Sequence, residues 1–194
     1  MGQPFDCLVR AASFILEEHI QILEGCKKGD RLCQEKLYKQ FYPAFYALCR
    51  TFFDEKHEIL TAINNGMLRV YKNLDQFDPA KASLFTWAYS IVRNAALSML
   101  KERKKQPSIE FKEKLDDFTI VHPVFSNELN ETYMLLYQLP TTTRAVCSLF
   151  YVEGFSIKEI GVAMQLKEGT VKWHLNEGRN RLKTIVHQKC NKSA

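Results

Sequence analysis

Residues 155–186 read Phe155-Ser-Ile-Lys-Glu-Ile-Gly-Val-Ala-Met-Gln-Leu-Lys-Glu-Gly-Thr-Val-Lys-Trp-His-Leu-Asn-Glu-Gly-Arg-Asn-Arg-Leu-Lys-Thr-Ile-Val186. Two helical periods are separated by a short polar break, and basic residues are massed on the second. Ser156 and Glu159 have capping-box spacing, in which hydroxyl and carboxylate each satisfy a free backbone N–H, so a helix starts there. Ile157, Ile160, Gly161 and Met164 follow at helical intervals, with Gly161 small enough for a second helix to cross close by. The second period puts Val171, Leu175, Leu182 and Ile185 or Val186 on one face and Lys172, Asn176, Arg179 and Lys183 on another. This is the pattern of a helix-turn-helix. Thr170 to Ala194 holds six Lys or Arg and one acid, Glu177, so the second helix carries the charge a phosphate backbone attracts. An ordinary solvated face on an amphipathic helix is the alternative.

The 194 residues suffice for one medium or two small domains, and the net charge of +5 is compatible with nucleic acid without being diagnostic. Cysteines 7, 26, 33, 49, 147 and 190 form no Cys-x-x-Cys pair or regular framework, which predicts reduced, mostly buried thiols in a cytoplasmic protein. His187 and Cys190 lack two further ligands, so no metal site is expected. Asp6 and Arg10 interrupt the apolar run from Phe5 to Leu16, which reads as an extra packed helix rather than a signal peptide or membrane span.

Upstream, helices are predicted over 17–28, 31–53, 59–74 and 83–105. The second is an aromatic stripe from Leu32 to Phe52 with a possible kink at Pro43, and Ser83 caps the last. That last helix is expected to bury Leu84, Trp87, Ala88, Ile91 and Ala95. Another face presents Phe85, Thr86, Tyr89, Arg93 and Asn94, the aromatic, amide and guanidinium groups that stack on and hydrogen-bond to unpaired bases; half-burial in the core is the competing reading for Phe85 and Tyr89. Residues 106–126 lose periodicity and read as a linker. Helices resume at 127–139 and from 141 to about 154, and no strand pattern occurs. The fold class is all-α: an N-terminal extension (1–19), a first helical domain (20–105), a linker (106–126), a helix-turn-helix domain (127–187) and a tail (188–194).

Four segments in this order resemble the extracytoplasmic-function sigma factors, and most of all the variety common in the Bacteroidetes. They are Leu23 to Asp30 with Leu37-Tyr38; Asn64-Asn65-Gly66-Met67-Leu68-Arg69-Val70-Tyr71; Phe85-Thr86-Trp87 with Ile91-Val92-Arg93-Asn94; and Leu139-Pro140 through Arg144, Gly154, Ser156, Lys158-Glu159-Ile160 and Gly169-Thr170-Val171-Lys172. The resemblance implies a non-enzymatic initiation factor without cofactor, whose partners are core RNA polymerase and promoter DNA, and it is compatible with a membrane-anchored anti-sigma protein. Residue by residue it implies polymerase docking by Leu60, Asn64, Asn65 and Leu68, and capture of the melted minus-ten strand by Phe85, Trp87, Tyr89, Arg93 and Asn94. It further implies reading of the minus-thirty-five duplex by Thr170, Lys172, His174, Arg179 and Lys183. Trp87 also fits the apolar face and counts as core first.

The chain departs from the family pattern in several places. Leu60, Thr61 and Asn65 stand where docking acids are usual, Gln165 where a turn glycine is usual, and Lys167 where a capping hydroxyl is usual. Trp173 replaces a small polar residue. A helix-turn-helix regulator that never joins polymerase, and a sigma-like interaction module, are the rival expectations.

Overall fold

A computed structural model describes residues 21–103 and 127–192, all helices and turns. The expected N-terminal helix before residue 21, the linker interior and the last two residues lie outside the described residues. After a helical stretch at 21–27, Asp30 accepts a hydrogen bond from Leu32 N at 2.8 Å and starts α1 (Arg31–Arg50). Pro43 sits inside α1 without ending it. Leu37, Phe41, Phe45 and Leu48 bury the predicted stripe, but Leu32 stands outside it, 70% exposed.

Helix α2 (Lys56–Lys72) packs Ile59, Ile63, Met67 and Val70 inward. Its register against α1 is fixed by Tyr38 Oη donating to Asn64 Oδ1 at 2.9 Å and Tyr71 Oη donating to the Gln34 carbonyl at 2.8 Å. Ser83 caps α3 (Leu84–Arg103) as predicted, accepting from Thr86 N at 3.1 Å. The buried face of α3 is rotated from the expected one: Ala88, Val92, Ala95, Ala96 and Leu97 are buried, whereas Leu84, Trp87 and Ile91 are half-buried. The reason is the closeness of α2. A Cβ on Gly66 would lie 2.8 Å from Val92 Cα, so α2 and α3 touch nearly backbone to backbone and the small and β-branched side chains face the contact.

The second body comprises α4 (Asn127–Leu136), α5 (Thr141–Cys147), a wide π turn (Ser148–Val152), α6 (Ile157–Met164) and α7 (Glu168–Lys192). The helix expected to run from 141 to 154 is thus broken by one over-wide turn, with Glu153 N bonding the Ser148 carbonyl at 3.1 Å. The Ser156–Glu159 capping box is complete. Gln165 adopts the left-handed conformation, φ 52° and ψ 48°, at the position where the sequence lacks the usual glycine. Gly161 serves this turn rather than a helix crossing, because a Cβ there would meet the Leu166 carbonyl oxygen at 2.9 Å. The crossing glycine is Gly178, where a Cβ would lie 2.4 Å from Cys147 Sγ. Val171 and Leu175 are buried; Leu182 and Ile185 are half-buried and Val186 is 44% exposed, so the apolar face fades along α7.

A left-handed non-glycine residue carries about 1–2 kcal/mol of strain, partly offset by the lower chain entropy it costs to fix relative to glycine. Gln165→Gly should therefore raise stability by up to about 1 kcal/mol, read as the midpoint of urea unfolding. A lowered midpoint would contradict strain at this turn.

The bodies also pack on each other along α3. Cys26, Cys49 and Cys147 are buried and free, and burial pushes the thiols of Cys26 and Cys147 up to about 11.

Candidate nucleic-acid interface

Three surfaces hold the predicted contact residues. On α2, Asn64 and Asn65 are exposed, Leu68 is 51% exposed and Leu60 is half-buried. An isolated exposed leucine is ordinary, but this one lies with two amides on an exposed face of α2, where Asn64 also accepts from Tyr38 of α1.

On α3 the predicted strand-capturing residues divide. Phe85 stacks on Phe45 at 6.2 Å and meets Phe41 edge-on at 5.3 Å, so it chiefly extends the α1 aromatic core. Trp87 is half-buried beside Phe77, ring centroids 5.5 Å apart, in keeping with its reading as core first. Asn94 is exposed and opens into a groove of about 500 Å³ between α3 and α6, which Lys101, Phe155, Lys158 and Val162 also line.

Tyr89 and Arg93 are engaged from the second body. Glu153 accepts from Tyr89 Oη at 2.8 Å and from Arg93 Nη1 at 2.8 Å, and its side chain is only 5% exposed. Tyr89 Oη also lies 3.2 Å from Tyr133 Oη, and the Arg93 guanidinium covers the Phe155 ring at 5.1 Å. Burial, then Tyr133 and Glu153, hold the Tyr89 phenol far above its ordinary range, so it acts as a donor. Arg93 Nε is buried without a hydrogen-bond partner.

A second cluster joins the bodies. Buried Arg144 pairs with Asp54 and donates from Nε to the Thr51 carbonyl at 3.3 Å, and Thr141 also bonds Asp54. Burial would raise the Asp54 carboxyl, but hydrogen bonds from Thr141 and Arg144 and the charges of Arg144 and Arg103 outweigh it and hold it below its ordinary value. Tyr137 Oη donates to the Ala47 carbonyl at 2.8 Å beneath the Arg50 guanidinium.

On α7, Lys172, Arg179 and Lys183 are exposed and Thr170 is half-buried. His174, expected to meet the duplex, is half-buried. Its Nδ1 lies 3.0 Å from Thr143 Oγ1, so the imidazole is turned toward α5 and braces the helix. Trp173 stands out beside it, 59% exposed. Glu177 pairs with Arg181 one turn along at 2.6 Å, so the acid in the middle of this helix is offset locally, and the other, Glu168, lies in its first turn.

Sequence reasoning missed Glu153 and the Asp54–Arg144 pair. Nothing local marks either: Glu153 is aimed at α3 by a π turn that has no periodic signature, and Asp54 lies in what reads as a charged break.

A two-body helical chain with a capped helix-turn-helix and a last helix that exposes Lys172, Arg179 and Lys183 has the architecture of a helix-turn-helix protein. Comparison with known proteins narrows the class. The sequence matches Sigma-70 region 2 over residues 37–106 and Sigma-70, region 4, over residues 129–182, nearly two-thirds of the chain. The chain belongs to the sigma-70 family of RNA polymerase sigma factors, in its extracytoplasmic-function group.

Among relatives, it is 27% identical over 176 residues to the ECF RNA polymerase sigma factor SigW of Bacillus subtilis, covering 83% of this chain and 92% of that one. It is 25% identical over 179 residues to the RNA polymerase sigma-H factor of Pseudomonas aeruginosa, covering 86% and 92%. A solved sigma factor RpoE in complex with the anti-sigma factor NepR from Bartonella quintana aligns at a TM-score of 0.43, with 20% identity over 79% of this chain and 96% of that one. Among the described residues no helix is long and apolar enough to cross a membrane.

Proposed function

We propose that this chain is an initiation factor that binds core RNA polymerase, recognises promoter DNA and promotes opening of the duplex, with the chemistry left to the polymerase. The observation that carries this reading is the occurrence of both sigma regions, in order, on two helical bodies whose expected contact faces on α2 and α7 are exposed. Residues 20–105 form the polymerase-clamp and minus-ten domain, 127–187 the minus-thirty-five domain, and 106–126 the linker. The protein works in the cytoplasm, where polymerase and promoter are, and its four family segments put it nearest the Bacteroidetes variety.

Leu60, Asn64, Asn65 and Leu68 dock on polymerase through a neutral face, so this contact depends little on ionic strength. Phe85, Trp87, Tyr89, Arg93 and Asn94 serve the melted strand, with Phe85 and Trp87 mainly supporting the other three. Thr170, Lys172, His174, Arg179 and Lys183 meet the duplex, and His174 also holds their helix to α5. Reconstitution with core polymerase tests the whole reading. Specific initiation from genomic promoter fragments is expected, and a chain that neither co-purifies with polymerase nor directs initiation is not a sigma factor.

The DNA half has its own test. Each phosphate neutralised contributes a slope of about −0.9 to the dependence of log affinity on log salt. Lys172→Ala with Arg179→Ala should make that slope shallower by about 2, and an unchanged slope would mean α7 does not lie on the phosphate backbone.

A further inference from the structure

We propose that Trp173 selects base sequence by packing its indole on the methyl group of a thymine in the major groove, with Asn176 reading a neighbouring adenine. The proposal rests on the assignment of α7 to duplex DNA and deepens it. Trp173 is 59% exposed, and the ring it touches is His174, edge-on with centroids 4.8 Å apart and planes at 76°. Since His174 is itself bonded to Thr143, the indole rests on a braced neighbour and is aimed outward.

Lys172 and Asn176 are exposed on the same side of the first turns of α7, the part of a recognition helix that reaches base edges. The major groove offers a large apolar side chain one apolar partner, the thymine C5-methyl, and offers an amide the N6/N7 pair of adenine. The flanking Lys172, Arg179 and Lys183 favour DNA over a protein surface as the occupant.

The test uses the full chain with core polymerase and a duplex enriched from a randomised pool. Each thymine in the upstream element is replaced in turn by uracil, which lacks only the methyl. At one position uracil should weaken binding by about three- to tenfold, the worth of burying roughly one or two carbons. Trp173→Ala should bind the thymine and uracil duplexes alike and relax selection there. The proposal is overturned if uracil is tolerated everywhere, or if Trp173→Ala keeps the same uracil penalty. Weaker polymerase binding with unchanged base preference would assign Trp173 to a protein contact and equally overturn it. Failure to enrich any duplex would remove the assignment of α7 to DNA, and this proposal with it.

A separate observation carries a second inference: Glu153 is a clamp that keeps Tyr89 and Arg93 from single-stranded DNA while the two bodies are together. One buried carboxylate takes both hydroxyl and guanidinium, at 2.8 Å each, Tyr133 meets the Tyr89 hydroxyl and Phe155 lies under the guanidinium, leaving the Arg93 side chain 21% exposed. A base that stacks on Tyr89 or takes the Arg93 nitrogen held by Glu153 must displace the π turn from α3, so full strand capture requires the bodies to separate.

Glu153→Ala and the size-conserving Glu153→Gln are compared with the wild type for binding a fluorescent single-stranded pool of random sequence, with far-UV circular dichroism to check helicity and small-angle scattering to follow separation. Both variants should keep their helicity, bind about tenfold more tightly and expand. Adding Arg93→Ala should abolish the gain. Unchanged affinity in the folded variants, or a gain that survives loss of Arg93, would sink the clamp.

Discussion

Truncation of Phe45 to alanine should cost about 3–5 kcal/mol and lower the thermal midpoint by roughly 10 °C, because a fully buried ring leaves a cavity that a helical bundle only partly refills. Phe45 is 0% exposed. It meets Phe41 at 5.7 Å, stacks on Phe85 at 6.2 Å and approaches Tyr89 at 6.3 Å, so it is the floor on which the Phe85 and Tyr89 side of α3 rests. Calorimetry gives the size of the loss, and a fall of less than about 1 kcal/mol would mean the bundle repacks around the gap. The same variant should open promoters poorly even below its midpoint, since Phe85 and Tyr89 lose their support.

Gly66→Ala and Gly169→Ala should move stability in opposite directions, although both exchange a helical glycine for the best helix former. At Gly66 the new Cβ would lie 2.8 Å from Val92 Cα and Cγ2. Backbone cannot step aside, so overpacking of about 3 kcal/mol outweighs the gain of about 1 kcal/mol in propensity, and the midpoint falls by roughly 5 °C. At Gly169 nothing lies within 4 Å, and stability rises by up to about 1 kcal/mol. Thermal melts of the pair decide it. A rise for both would show that α2 and α3 are not in backbone contact.

The contrast between these glycines marks what the sequence makes legible. Helical periodicity, the Ser156–Glu159 box and the Ser83 cap are local patterns, and each reappears in the structure. The left-handed turn at Gln165 was readable too, because a helix-turn-helix needs that backbone whatever residue occupies it. The rotation of the buried face of α3, by contrast, follows from how closely α2 approaches, and no residue of α3 encodes that by itself. His174 reads as an outward-facing polar group until α5 brings Thr143 within 3.0 Å. The grip of Glu153 on Tyr89 and Arg93 joins residues about sixty positions apart through an irregular turn, so periodicity had nothing to report.

The two faces of α7 have different histories open to them. Val171, Leu175 and Gly178 are fixed by their neighbours on one side, whereas Lys172, Trp173 and Asn176 project from the other with little bearing on folding. Exchanges at such exposed positions usually stay within about 0.5 kcal/mol. A lineage can therefore explore new promoter preferences there without first acquiring compensating stability. Tyr89 and Arg93 have no such licence, because any replacement must also suit Glu153. Descendants of this gene should diverge first in the upstream sequence they recognise and last in the way they handle the melted strand.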